Sequence, residues 1–449
     1  MSDMSFVRTE MLPEKEPPAN SVGVIGWARA NLFDGVVNSA LTLLSLAFIY
    51  YVLSGLLPWV FQSVWNASSL TECREIMEAT WASTHGHACW AVINDRWLQL
   101  LYGFYPPYPA TPDVVFGASE GALPAYFRPN LAFVLLLLAI APVLFTKVPR
   151  QLLIVTAAYP FLMPWLMWGG SIWGPLMAAA GFGIGYLAYR ILAPIAGELV
   201  AIIAAIAVPV IWWLFLAGSV AAGLESVISI SIPEVESRKF GGFMLSILIG
   251  VVAIGASLPI GIFLALGRQS DLMILKALCV GFIEFIRGVP LITLLFVASV
   301  LLNIFLPPGT EFDIILRVLI MVTLFAAAYM AEVIRGGLAA LPKGQYEGAD
   351  SLGLNYWQAQ RLIIMPQALK ISIPGIVSTF IGIFKDTTLV SIIGLLDPLG
   401  LSNAIRADSA WNGIYWELFA FIAFLFFIFC FGMSRYSMYL ERKLHTGHK

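Results

Sequence analysis

The feature that most constrains this chain is a series of long apolar runs that recurs from residue 36 to residue 433. One of them, from Val36 to Phe61, contains no charged residue. A helix needs about 20 apolar residues to cross the hydrocarbon core of a bilayer. Only 12% of the residues are charged, whereas an ordinary soluble domain has about 25%. Such a chain cannot cover its surface with polar groups, so we predict an all-α polytopic membrane protein.

The apolar runs predict about ten transmembrane helices. Five strong runs lie after residue 240 and form a C-terminal group, whereas the runs between residues 131 and 221 are rich in Ala, Gly and Ile and have indistinct ends. If two of these middle runs do not span, the number falls to eight. The predicted spans are Val36–Phe61, Leu131–Phe145, Leu152–Trp168, Trp173–Tyr189, Leu199–Ala221, Phe243–Leu266, Met273–Phe305, Ile314–Val333, Ile371–Leu395 and Ile414–Met433.

Lysine and arginine residues in the short connections predict the orientation, because cytoplasmic loops carry an excess of both. Ten spans place Arg268 and Lys276 on the same side as the basic tail that contains Arg435. Both termini are then predicted to be cytoplasmic. The segments predicted on the other side are 62–130, 225–240, 305–312 and 396–412.

The connection that follows the eighth predicted span is unusually polar for a chain of this composition. Its residues 345–352 can form two helical turns, and Gly353 is placed to end them in a left-handed conformation. A second short helix is predicted over residues 356–364, and Pro366 is predicted to break it.

The first of these two short helices has two features that indicate binding to a partner protein: a shared face of three residues and a pair of small residues. Tyr346, Ala349 and Leu352 share one face at helical spacing. Gly348 and Ala349 have little side-chain bulk, so another surface can approach the backbone closely. A short amphipathic helix of this kind fits a groove on a partner protein. The pattern alone also allows an interfacial linker helix without a partner.

The spacing of this connection resembles the EAA loop of ABC-importer permeases. In that signature, Glu-Ala-Ala is followed by Gly four residues after the last Ala, and by Ile-x-Leu-Pro after nine more residues. The matching residues are Glu347, Ala349, Gly353, Ile363 and Pro366. Two identities depart from the signature, because Gly348 replaces the first Ala and Met365 replaces Leu.

Further motifs resemble the polar amino acid permeases, which are the histidine/glutamine type of importer subunit. This resemblance covers about residues 241–443, and the long N-terminal half looks like the general L-amino acid permeases. The motifs are Gly241-Gly242-Phe243, Leu258-Pro259-Ile260-Gly261, residues 283–291, residues 328–337, Gly344-Gln345-Tyr346-Glu347, Pro366-Gln367-Ala368-Leu369 and Lys385-Asp386-Thr387-Thr388-Leu389.

The resemblance implies four regions and a C-terminal core of five transmembrane helices with the type I importer permease fold. The regions are a cytoplasmic N-terminal segment at 1–35, a transmembrane extension at 36–240 with a large periplasmic loop at about 62–130, a permease domain at 241–443 with its coupling loop at about 336–370, and a cytoplasmic tail at 444–449.

The resemblance also implies a function, which is the permease subunit of a binding-protein-dependent importer of L-amino acids in the bacterial inner membrane. Such a subunit pairs with a second, often different, permease subunit and receives its substrate from a periplasmic binding protein. ATP and Mg belong to an ABC ATPase dimer docked at the coupling loops, so this chain is predicted to be non-catalytic and to bind no cofactor and no nucleic acid. The coupling residues implied are Tyr346, Glu347, Gly348, Ala349, Leu352, Gly353 and Pro366.

An ion-coupled secondary amino-acid transporter is the alternative function. Charges within the predicted spans would permit it, but it gives no account of the EAA-spaced loop.

Two pairs of charged residues lie within or near the predicted spans, where charge is costly and usually faces a bundle interior or a watery cavity. Glu284 and Arg287 are three residues apart, as are Glu332 and Arg335, so each pair can neutralise itself on one helix face. We predict a structural pair for Glu332 and Arg335. For Glu284 and Arg287, a structural pair and an inner gate both remain open.

A third charged group, Lys385 with Asp386, lies midway along a predicted span. An amino acid carries one carboxylate and one ammonium group, and a cavity with one cation and one anion can recognise both. We therefore predict that Lys385 and Asp386, with Thr387 and Thr388, lie at or beside the translocation path. Pairing with the charged residues of the seventh span is the alternative.

The cysteines fall into two classes. Cys73 and Cys89 lie in the predicted outer segment, on the oxidising side of the membrane, where we predict a disulfide with two free thiols as the alternative. Cys279 and Cys430 lie in apolar runs and are predicted to be packing residues. The histidines near the first pair lack further ligands, so no metal site is predicted.

Overall fold

The structure, a computed structural model, describes residues 23–84, 86–107, 126–301, 304 and 312–445. The chain divides into two compact units, residues 1–94 and 95–449, and the division falls inside one helix. Parts of the predicted N-terminal segment, of the outer segments 62–130 and 305–312, and of the tail therefore lie outside the described residues.

Within the described residues, nine α-helices and one short antiparallel pair of strands precede the C-terminal group. A π-helical segment, Trp212–Leu216, joins the last two of these helices, and strands β1 (Gly170–Ser171) and β2 (Ser231–Ile232) pair antiparallel. The helices are α1 (Gly23–Asn31), α2 (Val36–Phe61), α3 (Leu70–Trp81), α4 (Ala91–Tyr102), α5 (Phe127–Leu144), α6 (Leu153–Trp168), α7 (Trp173–Ala196), α8 (Glu198–Ile211) and α9 (Ala217–Val227).

The C-terminal group contains long helices connected by short ones. A 3-10 helix, Thr387–Ile393, follows the long helix that ends at Asp386. The helices are α10 (Gly242–Gln269), α11 (Met273–Gly288), α12 (Leu291–Phe296), α13 (Ile314–Ala339), α14 (Lys343–Ser351), α15 (Tyr356–Ala359), α16 (Met365–Asp386), α17 (Pro398–Ala407) and α18 (Trp416–His445).

The number of spans agrees with the sequence prediction of about ten. In the part of the chain that the structure describes, nine helical stretches are long and apolar enough to cross a membrane, and ten if the bent pair α11–α12 is one span. All four middle runs form such helices, so the reduction to eight is not needed. Five spans form the C-terminal group, namely α10, the bent pair, α13, α15–α16 and α18.

The seventh predicted span, Met273–Phe305, is not one straight helix. The axes of α11 and of the segment that starts with α12 meet at 101°. Val289 has φ −108° and ψ 131°, and Pro290 has φ −59° and ψ 139°. A residue before proline is pushed out of the helical region, and proline itself has no N–H to donate. The predicted end at Phe305 lies outside the described residues.

The first unit holds α2 and a small folded segment after it. None of the residues of α2 is buried, which fits a helix surrounded by lipid. Ser69 begins α3 and its hydroxyl accepts a hydrogen bond from the N–H of Glu72 at 3.2 Å, as expected of an N-terminal cap. Trp59 and Trp90 pack edge to face with their ring centres 5.3 Å apart.

The largest apolar core lies in the second unit, where α5 and α6 pack against α10 and α13. Met163 and Met167 of α6 join Met244 and Ile249 of α10 in this core. The N-terminal extension thus covers one side of the first helix of the C-terminal group. Because lipid tails are as apolar as these side chains, close van der Waals packing holds the helices together.

A buried arginine fixes the end of α6. Arg128, only 5% exposed, donates from Nε to the carbonyl oxygen of Leu166 at 2.9 Å and from Nη1 to that of Pro233 at 2.7 Å. A guanidinium group is tolerated in such a place because its donors are hydrogen-bonded. The contact ties the end of α6 to the segment that leads into α10.

Three backbone segments meet at the start of α10. Gly103, just after α4, has φ +69°, and a Cβ atom there would collide with the backbone of Gly241. The N–H of Gly242 donates to the carbonyl oxygen of Leu396 at 2.7 Å. This junction holds the end of α4 and the connection between α16 and α17 against the first turn of α10.

Candidate functional site

The polar connection after α13 folds as the short helix α14. Gly353 has φ +69°, and the N–H of Leu354 donates to the carbonyl oxygen of Ala349 at 3.3 Å. This is the hydrogen bond of a Schellman motif, which needs a left-handed residue that glycine adopts without strain. The left-handed glycine that the sequence predicts is therefore present.

The two faces of α14 have different surroundings. Ala349 is 1% exposed, and Tyr346 packs against the apolar core between α10, α13 and α16. Burial raises the pKa of the Tyr346 hydroxyl. Glu347 and Gly348 are exposed, a Cβ atom at Gly348 would meet nothing within 4 Å, and Leu352 is 73% exposed. Part of the face predicted for a partner therefore packs on this chain, while the face of Glu347 and Gly348 is open.

The sequence predicts that Pro366 breaks the second short helix, and this prediction is wrong. Helix α15 passes through a π-helical segment, Gln360–Ile364, directly into α16, and Pro366 lies in the first turn of α16. The N–H of Met365 donates to the carbonyl oxygen of Gln360, five residues back. Pro366 follows directly, so its missing N–H falls where the wider π turn changes the hydrogen-bond pattern. The helix therefore continues where an ordinary α-helix would kink.

Helix α15 starts with a reciprocal cap. The side chain of Asn355 accepts from the N–H of Gln358 at 2.9 Å, and the side chain of Gln358 accepts from the N–H of Asn355 at 3.0 Å. Such a capping box satisfies two backbone donors that a helix start leaves free.

A cluster of charged side chains lies where α10, α11 and α13 meet. Glu332 is at its centre, with Nη2 of Arg335 at 2.9 Å and Nη1 of Arg287 at 3.6 Å from its Oε2 atom. Arg268 donates to the other oxygen of Glu332 and also lies 3.0 Å from Glu284. The predicted pair of Glu332 and Arg335 is thus present.

A pair of Glu284 with Arg287 is not among the ion pairs of the described residues. Arg268, at the end of α10, reaches Glu284 instead, while Arg287 points to Glu332 and over the ring of Tyr329 at 5.6 Å. Helix packing brings a closer partner to each side chain than its neighbour on the same helix, so the structural pair, one of the two alternatives left open by the sequence, is not formed there.

The other charged group lies at the end of α16. Lys385 is exposed, Asp386 is half-buried and Thr387 is buried. The hydroxyl of Thr387 donates to the carbonyl oxygen of Phe384 at 2.8 Å, and the hydroxyl of Thr388 donates to that of Lys385 at 2.9 Å. Both hydroxyl protons are therefore used within the helix, and the hydroxyl oxygens remain as acceptors.

The two charged groups lie at opposite ends of α10. Phe384 packs against Gly250, in the first third of α10, since a Cβ atom there would lie 2.8 Å from the Phe384 ring. Arg268 lies in the last turn of the same helix. No ion pair among the described residues joins Lys385 or Asp386 to the cluster around Glu332, so the cross-helix pairing left open by the sequence is absent there. Lys385 also lies in the last turn of α16 rather than midway along a span.

Asp397 caps α17 beside the junction at the start of α10. Its carboxylate accepts from the N–H groups of Leu399 at 3.1 Å and Gly400 at 3.0 Å. The side chain is fully buried. Burial raises the pKa of Asp397 to about 6, and the backbone hydrogen bonds oppose this rise.

The structure joins Cys73 and Cys89 in a disulfide, with their Cα atoms 6.1 Å apart. Cys279 is a free, buried thiol and Cys430 a free, half-buried one. Over the described ranges, no group of three or more His, Cys, Asp or Glu side chains is arranged to hold a metal ion.

Comparison with known proteins decides the family. The profile described as "Binding-protein-dependent transport system inner membrane component" matches residues 257–446. The glutamate/glutamine/aspartate/asparagine transport system permease protein BztC of Rhodobacter capsulatus is 57% identical over 450 residues, covering all of both chains. The inner membrane amino-acid ABC transporter permease protein YhdY of Escherichia coli K12 is 38% identical over 439 residues, or 97% of each chain. This chain belongs to the amino-acid ABC importer permeases.

The permease is a multi-pass protein of the inner membrane, as its relatives and its apolar helices agree. Both relatives match through its N-terminal half as well as its C-terminal group. A solved structure described as an amino acid ABC transporter with histidines is 29% identical and covers 44% of the permease and 91% of that chain, with a TM-score of 0.41. The ion-coupled alternative finds no support in these comparisons.

Two contacts of the permease are not predicted from the sequence. Arg268 joins the cluster around Glu332, although the sequence shows it only as a basic residue in a turn. Gln345 and Gln367 contact each other across the loop, with Nε2 of Gln367 2.9 Å from Oε1 of Gln345. Both glutamines stand in motifs of the family, which is the one signal that points to them.

Proposed function

We propose that this permease forms part of a translocation path for acidic amino acids and their amides. The whole-length relative from Rhodobacter capsulatus is named for glutamate, glutamine, aspartate and asparagine. These four share an α-ammonium and an α-carboxylate group, whereas their side chains are either charged or neutral. A path that accepts all four therefore has to recognise the shared groups.

The residues proposed for this recognition are Lys385 and Asp386, with Thr387 and Thr388 beside them. An exposed lysine within a span is costly unless it faces a watery cavity or a partner. The adjacent carboxyl group provides the opposite charge. The hydroxyl oxygen of the half-buried Thr388 can accept a hydrogen bond from an ammonium group, while the buried Thr387 packs beneath it. These features support a role in the path.

The coupling to ATP hydrolysis is proposed for α14. The observation that carries it is the division of α14 into a face packed on the permease and an open face with Glu347 and Gly348. A helix held in this way offers a fixed surface to a groove on a partner, and Leu352 and Gly353 extend that surface at its end.

The partners proposed are an ABC ATPase dimer, a second related permease subunit and a periplasmic amino-acid-binding protein. ATP and Mg are then bound by the ATPase, and the permease is non-catalytic and holds no cofactor. The family resemblance favours a heterodimer of two permease subunits.

The proposed orientation puts both termini and α14 in the cytoplasm. It is supported by the basic residues near the α14 end, such as Arg268, Lys343 and Lys370, because cytoplasmic loops are enriched in lysine and arginine. Cys73 and Cys89 would then lie on the periplasmic side. Both cysteines are buried, so the test uses Thr80→Cys, at an exposed position of α3. A membrane-impermeant maleimide should label this variant in intact cells but not the native protein with its disulfide intact; labelling of the variant only after cell lysis would refute this orientation.

The docking of α14 is tested by Glu347→Lys. The reversed charge on the open face should remove the ATPase from the purified complex and abolish ATP-dependent uptake of glutamate. Glu236→Lys makes the same charge change at an exposed residue near the start of α10 and should leave both unchanged. If Glu347→Lys keeps the ATPase bound and uptake normal, α14 is not the docking element.

The path residues are tested by Lys385→Gln and Asp386→Asn, which remove charge at nearly constant size. Both should raise the KM for uptake of glutamate and of asparagine while the ATPase stays bound. Lys370→Gln, at the other end of α16, is the matched control. Unchanged uptake kinetics in both variants would remove these residues from the path.

A further inference from the structure

A pair of glutamines joins α14 to α16. Nε2 of Gln367 donates to Oε1 of Gln345 and to the carbonyl oxygen of Ile363, each at 2.9 Å. Gln345 lies in the first turn of α14, and Gln367 lies in the first turn of α16. The two helices are therefore linked at their starting turns by side chains 22 residues apart in the chain.

The surroundings of the pair make this link firm. Both glutamines are half-buried. Ile364, just before α16, and Ala368 of α16 are fully buried next to the pair, and on α14 Ala349 is 1% exposed. A hydrogen bond that is partly shielded from water is electrostatically stronger than one in solvent.

The covalent route between the same two helices is much looser. It leaves α14 through the left-handed Gly353 and passes through α15, where Tyr356 and Trp357 are 52% and 69% exposed. A turn with few buried contacts yields easily under load. A displacement of α14 therefore reaches α16 through the glutamine pair and the packing beside it rather than through the turn.

Helix α16 is placed to pass such a displacement on. Near its start it is packed tightly on α13, where the Ser372 hydroxyl donates to the carbonyl oxygen of Val333 at 3.2 Å. It then runs for 22 residues to Asp386, a length of about 33 Å. Its far end carries Lys385 and Asp386, the residues proposed for the path.

We propose that Gln345 and Gln367 are positioning residues that transmit the movement of α14 to α16 and so couple ATP hydrolysis to opening of the path. The inference rests on the docking of α14 proposed above. It assigns the glutamines a role in transmission and not in binding the ATPase, because they are half-buried and contact each other between α14 and α16. Glu347 and Gly348, by contrast, are exposed.

The test compares uptake per ATP hydrolysed in proteoliposomes that contain the whole importer, with glutamate as the substrate and the binding protein supplied. Gln345→Leu and Gln367→Leu each remove the hydrogen bond at similar volume. Each should keep the ATPase in the purified complex and lower uptake per ATP by about fivefold, the effect of one lost hydrogen bond. The double variant should be no worse than either single one, because the two residues act as a pair.

Two further variants sharpen this test. Gln345→Glu keeps an oxygen acceptor for Gln367 and should retain nearly all of the coupling. If residue 345 served only to fill space, Gln345→Leu would retain the coupling as well. Gln269→Leu makes the same change at an exposed residue at the end of α10 and should leave uptake per ATP unchanged.

The outcomes separate this inference from the docking itself. Unchanged uptake per ATP in both leucine variants, or a double variant with the sum of two independent losses, would overturn the transmission role. Loss of the ATPase from the leucine variants would also overturn it, since the pair would then serve docking. The docking of α14 is judged by Glu347→Lys alone and stands or falls separately.

Discussion

Arg335 lies one helical turn after Glu332 on α13, and its Nε and Nη2 atoms lie 3.0 and 2.9 Å from the same carboxylate oxygen, Oε2. Arg268 of α10 donates to the other oxygen, and Arg287 of α11 approaches Oε2 at 3.6 Å. One carboxylate therefore faces guanidinium groups from three helices. Its removal leaves three neighbouring guanidinium groups with Glu284, which contacts Arg268, as the remaining carboxylate of the cluster.

Glu332→Gln should destabilise the permease more than any other single carboxyl change in this cluster. The Glu332 side chain is only 15% exposed, and loss of one partner in a partly buried network costs about 2 kcal/mol. Thermal unfolding of the detergent-solubilised complex, followed by fluorescence, measures the change.

Glu284→Gln is the matched control for this prediction. Glu284 contacts Arg268 alone in the network, and its side chain is 54% exposed, so the loss should stay below about 1 kcal/mol. Equal effects of the two substitutions would show that Glu332 is not the centre of the cluster.

The crossing of α13 and α16 gives a second prediction. A Cβ atom at Gly337 would collide with the Ser372 hydroxyl and lie 2.5 Å from the carbonyl oxygen of Ala368, whereas one at Gly336 would meet nothing within 4 Å. Gly337→Ala should therefore separate the helices and cost about 1–3 kcal/mol. Gly336→Ala should be neutral or stabilising by about 0.5–1 kcal/mol. The difference in unfolding temperature between these neighbouring variants tests the close approach.

The sequence predicts the spans well because their cause is local. A run of about 20 apolar residues is a helix in a bilayer whatever surrounds it, since its backbone groups have no water to bond with. The end of α14 at Gly353 also has a local cause, because the left-handed conformation that follows a short helix favours glycine.

The features that the sequence does not predict depend on tertiary contacts. The partner of Glu284 is Arg268, and that choice depends on how α10 crosses α11, which no spacing along the chain reveals. The bend at Pro290 and the passage through Pro366 differ although both residues are prolines. The backbone is extended around the first, whereas a π turn accommodates the second. The residue type alone does not distinguish these outcomes.

Gly348, inside α14, and Gly353, just after it, give opposite expectations for the same substitution. Gly353 has φ +69°, so Gly353→Ala should strain the helix end and cost about 1 kcal/mol. Gly348 lies inside the helix with open space around it, so Gly348→Ala should stabilise α14 by about 0.5–1 kcal/mol. Hydrogen exchange of the amides of residues 345–354 should slow in Gly348→Ala and quicken in Gly353→Ala. A change of the same sign in both would contradict the conformations described here.

The disulfide gives a prediction confined to the first unit. Replacing Cys73 and Cys89 by serine removes a cross-link between residues 16 apart, and a loop of this size contributes about 3 kcal/mol in the chain-entropy description. The segment between residues 62 and 94 should become sensitive to added protease in the double variant. Cys430→Ser, which changes a free thiol, should not have this effect.

Asp397 predicts how stability depends on pH. Burial holds its pKa in the folded permease at about 6, above the ordinary value of 3.8. The folded state therefore binds this proton more tightly than the unfolded chain does. The resulting stability is fully present below pH 3.8 and is lost as the pH rises through about 6.

Asp397→Asn keeps an oxygen that accepts from the N–H groups of Leu399 and Gly400 but does not titrate. The unfolding temperature of the native protein minus that of the variant should therefore fall between pH 4.5 and 7. A difference that stays constant over this range would mean that the carboxyl group has an ordinary pKa, and one that rises would mean that its hydrogen bonds outweigh its burial.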